Sequence, residues 1–221
     1  MVAALATDAD VSPDELDAVL KGAEPVPDTV RRLGPALGFR TGDMFVIAGL
    51  PVPQELASAW PTSPWNVGSI IKLATRIGAH QLGRLDELVR SLPVLQPTGP
   101  APADDYPELP GALMLRLLRN RNIRPNAQIL HLVGGGPYVS NSTVAMLGPG
   151  KVVITPQYVT AFAHLLGYPP KDMVALAGVG PADTDQPTHP ASAELAALAW
   201  NARQLSSDQL THVVAAAHEL K

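Results

Sequence analysis

Residues 29–50 read TVRRLGPALGFRTGDMFVIAGL, and residues 158–179 read YVTAFAHLLGYPPKDMVALAGV. The two stretches align without a gap at an offset of 129 residues (158 − 29). Leu37-Gly38 falls on Leu166-Gly167, Phe39 on Tyr168, Asp43-Met44 on Asp172-Met173, and Ala48-Gly49 on Ala177-Gly178, with Pro27 and Pro156 just ahead of the blocks. Each copy reads as a helix closed by a glycine C-cap, an aromatic residue, and a second helix that packs its apolar face back. A supersecondary unit used twice in one chain predicts an all-α protein.

Outward from these blocks, helix signals continue. Ser12–Leu20 opens with a serine cap, a proline and two acids. Further helices are expected at Asp28–Leu37, Thr41–Ala48, Val67–Ile77, Leu82–Leu92, Ala112–Arg121 and Asn126–Val133. Downstream they continue at Ser140–Met146, Pro156–Leu166, Pro169–Ala177, Ala191–Gln204 and Ser207–Leu220. The 23 prolines fit many short helices with abrupt ends, because proline is tolerated in the first turn and not inside. Only Lys151–Thr155 has β-branched density, and its length suits a connection.

The Pro- and Ala-rich stretch Pro93–Pro110 reads as a linker. It divides the chain into a helical domain at 1–92, a domain at 111–180 and a helical tail at 181–221. Charge follows this division. The net −4 resolves into −6 over residues 1–110, +5 over 111–180 and −3 over 181–221. The basic segment carries Arg116, Arg119, Arg121, Arg124, Lys151 and Lys171 against Asp172 alone. A phosphate backbone responds to such a local field.

The absence of cysteine excludes disulfides and thiolate chemistry. The six histidines show no metal-ligand spacing, so neither a metal nor a cofactor is expected. No nucleophile elbow, paired-carboxylate arrangement or dinucleotide fingerprint is present, so the chain is not read as an enzyme. Gly148-Pro-Gly-Lys151 lacks the glycine at 145 and the hydroxyl at 152 that a phosphate loop needs. The N-terminus has no basic start or apolar run of a signal peptide, and no stretch suits a membrane span. A soluble, cytoplasmic protein is expected.

The segment Ser140-Asn-Ser-Thr-Val-Ala-Met-Leu147 begins with a serine cap, puts small polar residues on its first turn and turns Val144 and Leu147 inward. It follows Asn126–Val133 and the glycine turn Gly134-Gly135-Gly136, with the basic helix Ala112–Arg121 before them. This order is that of a helix-turn-helix bundle, in which the second helix presents its N-terminal residues to base edges. Asn and Ser suit that task, and flanking Arg and Lys suit phosphates.

Val139-Ser-Asn-Ser-Thr-Val-Ala-Met, the following Gly148-Pro-Gly-Lys151 and the two Leu-Gly-[Phe/Tyr] closures resemble the Cro/repressor-like (XRE-type, λ-repressor-like) helix-turn-helix regulators, in the form common in actinobacteria. The resemblance covers about residues 112–179, and residues 12–50 in part. It implies a λ-repressor-like helical bundle at 111–180, used as a homodimer on duplex DNA for transcription regulation. It puts Ser140, Asn141, Ser142 and Thr143 at base and phosphate contacts, with Arg116, Arg119, Arg121, Arg124 and Lys151 around them. The chain departs from the pattern in three places. The glutamine that often opens the family's second helix is not evident, although Gln128 lies nearby, and the turn is lengthened over Gly134–Pro137. The first copy starts at the equivalent of the reading helix, without the two helices before it, and carries Asp14, Glu15 and Asp17 there.

The leading expectation is a sequence-specific DNA-binding regulator. The alternative is a helix-turn-helix-derived interaction module, antitoxin-like or polymerase-recruiting, with a protein partner on the acidic N-terminal half. A weaker alternative is a fold repurposed around a small-molecule or catalytic pocket.

Overall fold

The computed structural model describes residues 2–95, 104–181 and 186–220, and among them the structure is all-α. The chain forms two compact units, residues 1–57 and 58–221.

The smaller unit holds α1 (Val2–Asp8), α2 (Pro13–Leu20), α3 (Pro27–Ala36) and α4 (Thr41–Ile47). Ser12 caps α2 by accepting the Glu15 N–H at 3.1 Å, with Pro13 at the first helical position. Proline costs nothing there, where its missing N–H would have no helical partner. Ala6, Ala9, Val11, Leu16 and Leu33 form a core cluster, and Val30 and Phe45 are also buried. Helices α3 and α4 meet closely because Gly34 has no side chain; a Cβ there would stand 3.3 Å from the Met44 Cβ.

The larger unit holds α5 (Val67–Ala74), α6 (Ala79–Ser91), α7 (Pro110–Arg119), α8 (Ala127–Gly134), α9 (Asn141–Ala145), α10 (Pro156–Leu166), α11 (Pro170–Ala177), α12 (Ser192–Ala202) and α13 (Ser207–Glu219). Helix α10 is its axis. Val159, Ala161, Phe162, Ala163, Leu165 and Leu166 on it are all fully buried, so it is apolar around most of its circumference, as a core helix must be. Helices α7, α8, α11 and α12 pack on it, and α5, α6, α12 and α13 pack among themselves.

That packing moves the expected boundary. Helices α5 and α6 precede the Pro-rich stretch, yet they bury Ile70, Ile71, Leu82 and Leu85 in a group with α12 and α13. The division therefore falls between Ala57 and Ser58 instead of at Pro93–Pro110, and the 181–221 tail is part of the larger unit. Residues 96–103 of the expected linker lie outside the described residues. Its last part is docked: Asp104 pairs with Arg116 and Arg119 on α7.

The two repeats share one backbone. Helices α3 and α10 both start at the proline of the aligned pair, Pro27 and Pro156, and α4 and α11 start at Thr41 and Pro170, also 129 apart. Gly38 and Gly167 close the first helix with φ of 77° each, and Gly49 and Gly178 close the second with φ of 70° and 62°. Phe39 and Tyr168 donate their backbone N–H to the equivalent carbonyls of Gly34 and Ala163 at 2.8 and 2.9 Å. Left-handed backbone at these closures is what the four glycines supply.

Candidate functional site

Helices α8 and α9 are joined by the glycine turn, and the reason for that turn is steric. A Cβ on Gly134 would run into the backbone carbonyl of Ala161 on α10, and one on Gly135 into the carbonyl of Pro187. Gly135 has φ 69° and donates to the His131 carbonyl at 2.9 Å, while Gly136 donates to that of Leu130 at 3.1 Å. Gln186 closes the turn from outside, donating from Nε2 to the Gly134 carbonyl at 2.5 Å. The lengthened turn is thus a close helix-to-backbone contact, held in place from both sides.

Helix α9 is fixed against α8 through a side chain. Asn141 Oδ1 accepts the N–H of Ala127 at 2.8 Å, bringing the first turn of α9 to the first turn of α8. Asn126 caps the same helix end by accepting from Ile129 at 3.1 Å. Two of the four N–H groups that a helix start leaves over are thereby met. Ser140 caps α9, accepting from Thr143 N–H at 3.1 Å, and its hydroxyl lies 2.7 Å from that of Ser142 and 2.9 Å from that of Thr143. Ser140, Asn141 and Ser142 are exposed, Thr143 is half-buried, and Val144 is buried beneath them. The Asn141 amide group, with its oxygen engaged on α8, retains its Nδ2 donors at the surface.

The expected cations separate into two kinds. Arg121 is fully buried, with its guanidinium carbon 4.4 Å from the Trp200 ring centre and a bond to the Leu166 carbonyl at 3.4 Å. The expectation that it contacts DNA is corrected: its charge belongs to the core. Arg116 is engaged by Asp104, Glu108 and the Tyr106 carbonyl. Burial disfavours its charge, but the Asp104 and Glu108 carboxylates outweigh that and raise its pKa. Arg119 pairs with Asp104 at 3.1 Å and lies over the Trp60 ring. Both arginines serve the fold, so they leave the set of candidate phosphate contacts. Arg124 and Lys151 remain, both exposed; Arg124, three residues before Ala127, is steadied by the Thr62 carbonyl at 2.8 Å. No acidic residue occurs between Glu108 and Asp172.

Two features went unread in the sequence. Tyr138 is 92% exposed just before the α9 cap, and Val153 is 80% exposed in the loop after α9. For Tyr138 the signal was an aromatic set between a glycine turn and a run of small polar residues; Val153, flanked by Val152 and Ile154, carried none.

The other unexpected feature is in the smaller unit. Helix α1 does precede α2 there, so the first copy lacks fewer helices than expected. Ser12 caps α2 as Ser140 caps α9, each accepting from the third residue on, and Leu16 is buried as Val144 is. Aligned on these caps, Pro13, Asp14 and Glu15 stand where α9 has Asn141, Ser142 and Thr143. Among the described residues no group of three or more His, Asp or Glu side chains is gathered as a metal site would need, and no helix is long and apolar enough to cross a membrane.

Compared with known protein families, with curated proteins and with solved structures, the chain gives no match.

Proposed function

We propose that this protein is a sequence-specific DNA-binding transcriptional regulator that reads duplex DNA with α9. The observation that carries the reading is the Asn141–Ala127 bond. It sets the exposed hydroxyls of Ser140 and Ser142 beside the first turn of α8, in a stretch free of acidic residues. Helix starts and backbone N–H groups favour phosphate, and short polar side chains reach base edges. Arg124 and Lys151 supply the phosphate contacts in this reading. The resemblance to Cro/repressor-like regulators points the same way. In it, a homodimer acting in the cytoplasm sets two α9 helices on a palindromic site.

Selection of genomic fragments by the purified chain at physiological salt tests this. The expected affinity falls steeply with salt, and Arg124→Ala and Lys151→Ala each lower the log–log salt slope by about one. Equal retention of random and genomic fragments ends the sequence-specific reading.

The second reading, a protein-binding module, is favoured by one observation: α2 exposes Asp14 and Asp17 around the position that α9 fills with Ser142. Such a surface repels phosphate. It predicts that no duplex is retained at all.

A further inference from the structure

Residues 186–190 cross the glycine turn on the way into α12 and hold it. Gln186 binds the Gly134 carbonyl, His189 donates its N–H to the Val133 carbonyl at 3.1 Å, and the Pro187 carbonyl fills the space that a side chain on Gly135 would need. The His189 ring anchors this segment. Its Nδ1 accepts the N–H of Ala191, the N-cap residue of α12, at 3.1 Å. Its Nε2 lies 3.3 Å from the carbonyl of Thr75, the C-cap residue of α5. The His189 backbone carbonyl accepts from Ser192 at 2.9 Å. One half-buried histidine thus joins the ends of α5 and α8 to the start of α12, where Ala191 offers no side-chain cap.

These contacts fix the protonation of the ring. A nitrogen that accepts an N–H carries no proton, so Nδ1 is bare and Nε2 bears the hydrogen given to Thr75. Proton uptake puts a hydrogen on Nδ1, facing the N–H of Ala191. Two donors then oppose each other, and the amide at the start of α12 loses its acceptor, while the Nε2 bond exists in either state. Among the described residues, the charged or titratable groups within one turn of these contacts are Lys72 and Arg76 beside Thr75, His131 before Val133 and Glu194 in the first turn of α12.

We infer that His189 is a proton-operated latch: neutral, it holds residues 186–190 on the turn between α8 and α9, and protonated it lets them go. The latch does not depend on whether α9 meets DNA.

Amide hydrogen exchange of the full chain, expressed as protection relative to the free-peptide rate at each pH, tests it. Wild-type protection at His189 and Ala191 is expected to fall about fivefold between about pH 7.5 and about pH 5, the factor for one hydrogen bond across the ordinary histidine range. His189→Asn places a side-chain oxygen where Nδ1 stands, keeps an acceptor for Ala191 and does not titrate, so the fivefold drop is expected to vanish in it. His189→Ala has no acceptor and is expected to show the low protection at both pH values; should it fail to fold, wild type against H189N still decides. Nitrogen-15 NMR of the wild-type ring at about pH 7.5 is expected to show the Nε2–H tautomer. An Nδ1–H tautomer overturns the latch. So does wild-type protection that is equal at the two pH values, as it would be if Glu194 took over the Ala191 amide. A drop of the same size in H189N assigns the pH effect to another group and overturns it too.

Discussion

Residues 12–49 and 140–178 carry two versions of one run of caps and closures, and they differ in where polarity is placed. The framework is shared: serine caps at Ser12 and Ser140, buried aliphatics at Leu16 and Val144, and glycine closures at Gly38 and Gly167. The surface of the capped helix is not. One copy shows Pro13, Asp14 and Glu15, the other Asn141, Ser142 and Thr143. Backbone geometry is thus set by a few caps, glycines and core residues, while the chemistry of the exposed turn varies independently of them.

The largest expected effect probes a contact peculiar to the second copy. Gly134→Ala places a methyl against the α10 backbone, and a loss of about 3 kcal/mol in unfolding free energy is expected, the upper range for overpacking. All three tryptophans, Trp60, Trp65 and Trp200, belong to the larger unit, so their fluorescence in a urea titration reports that unit. An unchanged midpoint would mean that the turn is looser than the packing indicates.

Next is the surface itself. Ser142→Asp combined with Thr143→Glu gives α9 the acids of α2, and about 2 kcal/mol of DNA affinity, near thirtyfold, is expected to be lost. Fluorescence anisotropy on a selected duplex measures it. Undiminished binding would show that the difference between the two surfaces has no bearing on DNA.

Smaller still is the effect of the caps. Ser12→Ala and Ser140→Ala are each expected to cost about 1 kcal/mol, each in its own unit. Hydrogen exchange of the first-turn amides of α2 and α9 reports them separately.

The smallest effect is one of pH. His164 on α10 has its pKa lowered by burial, and the first copy carries Pro35 at that position, which does not titrate. The unfolded chain takes up the His164 proton before the folded one does. Its contribution is therefore fully present above the ordinary histidine pKa of about 6.5 and is lost as the pH falls through that value toward the folded pKa. Urea midpoints of the larger unit at about pH 7.5 and pH 5 should differ less in His164→Gln than in wild type.

Local signals made most of the helices legible. The start of α10 at Pro156 and the ends at Gly167 and Gly178 follow from proline and glycine stereochemistry, which acts within a few residues. Helix α1 escaped because VAALATD has no side-chain cap and little contrast between its faces. The docking of α5 and α6 onto α12 and α13 escaped for a different reason: it joins segments more than a hundred residues apart, and nothing at Leu82 or Leu85 names α12 or α13 as a neighbour. At the candidate site, the polar turn at Ser140–Thr143 was readable from composition. The fate of the arginines was not, because a charge count treats Arg121, sealed against Trp200, and Arg124, facing solvent, as equal. Pairing with Asp104 was hidden likewise by the linker-like look of its surroundings.

The closure of the larger unit by its last helices also sets the order in which the protein is made. Helix α5 packs against α13, whose buried Leu210, Val213 and Val214 are translated more than a hundred residues later. The α1–α4 unit has all its internal contacts within residues 1–57 and can fold while synthesis continues. The larger unit, by contrast, completes its packing only once α12 and α13 have been made, because α5 and α6 pack against both.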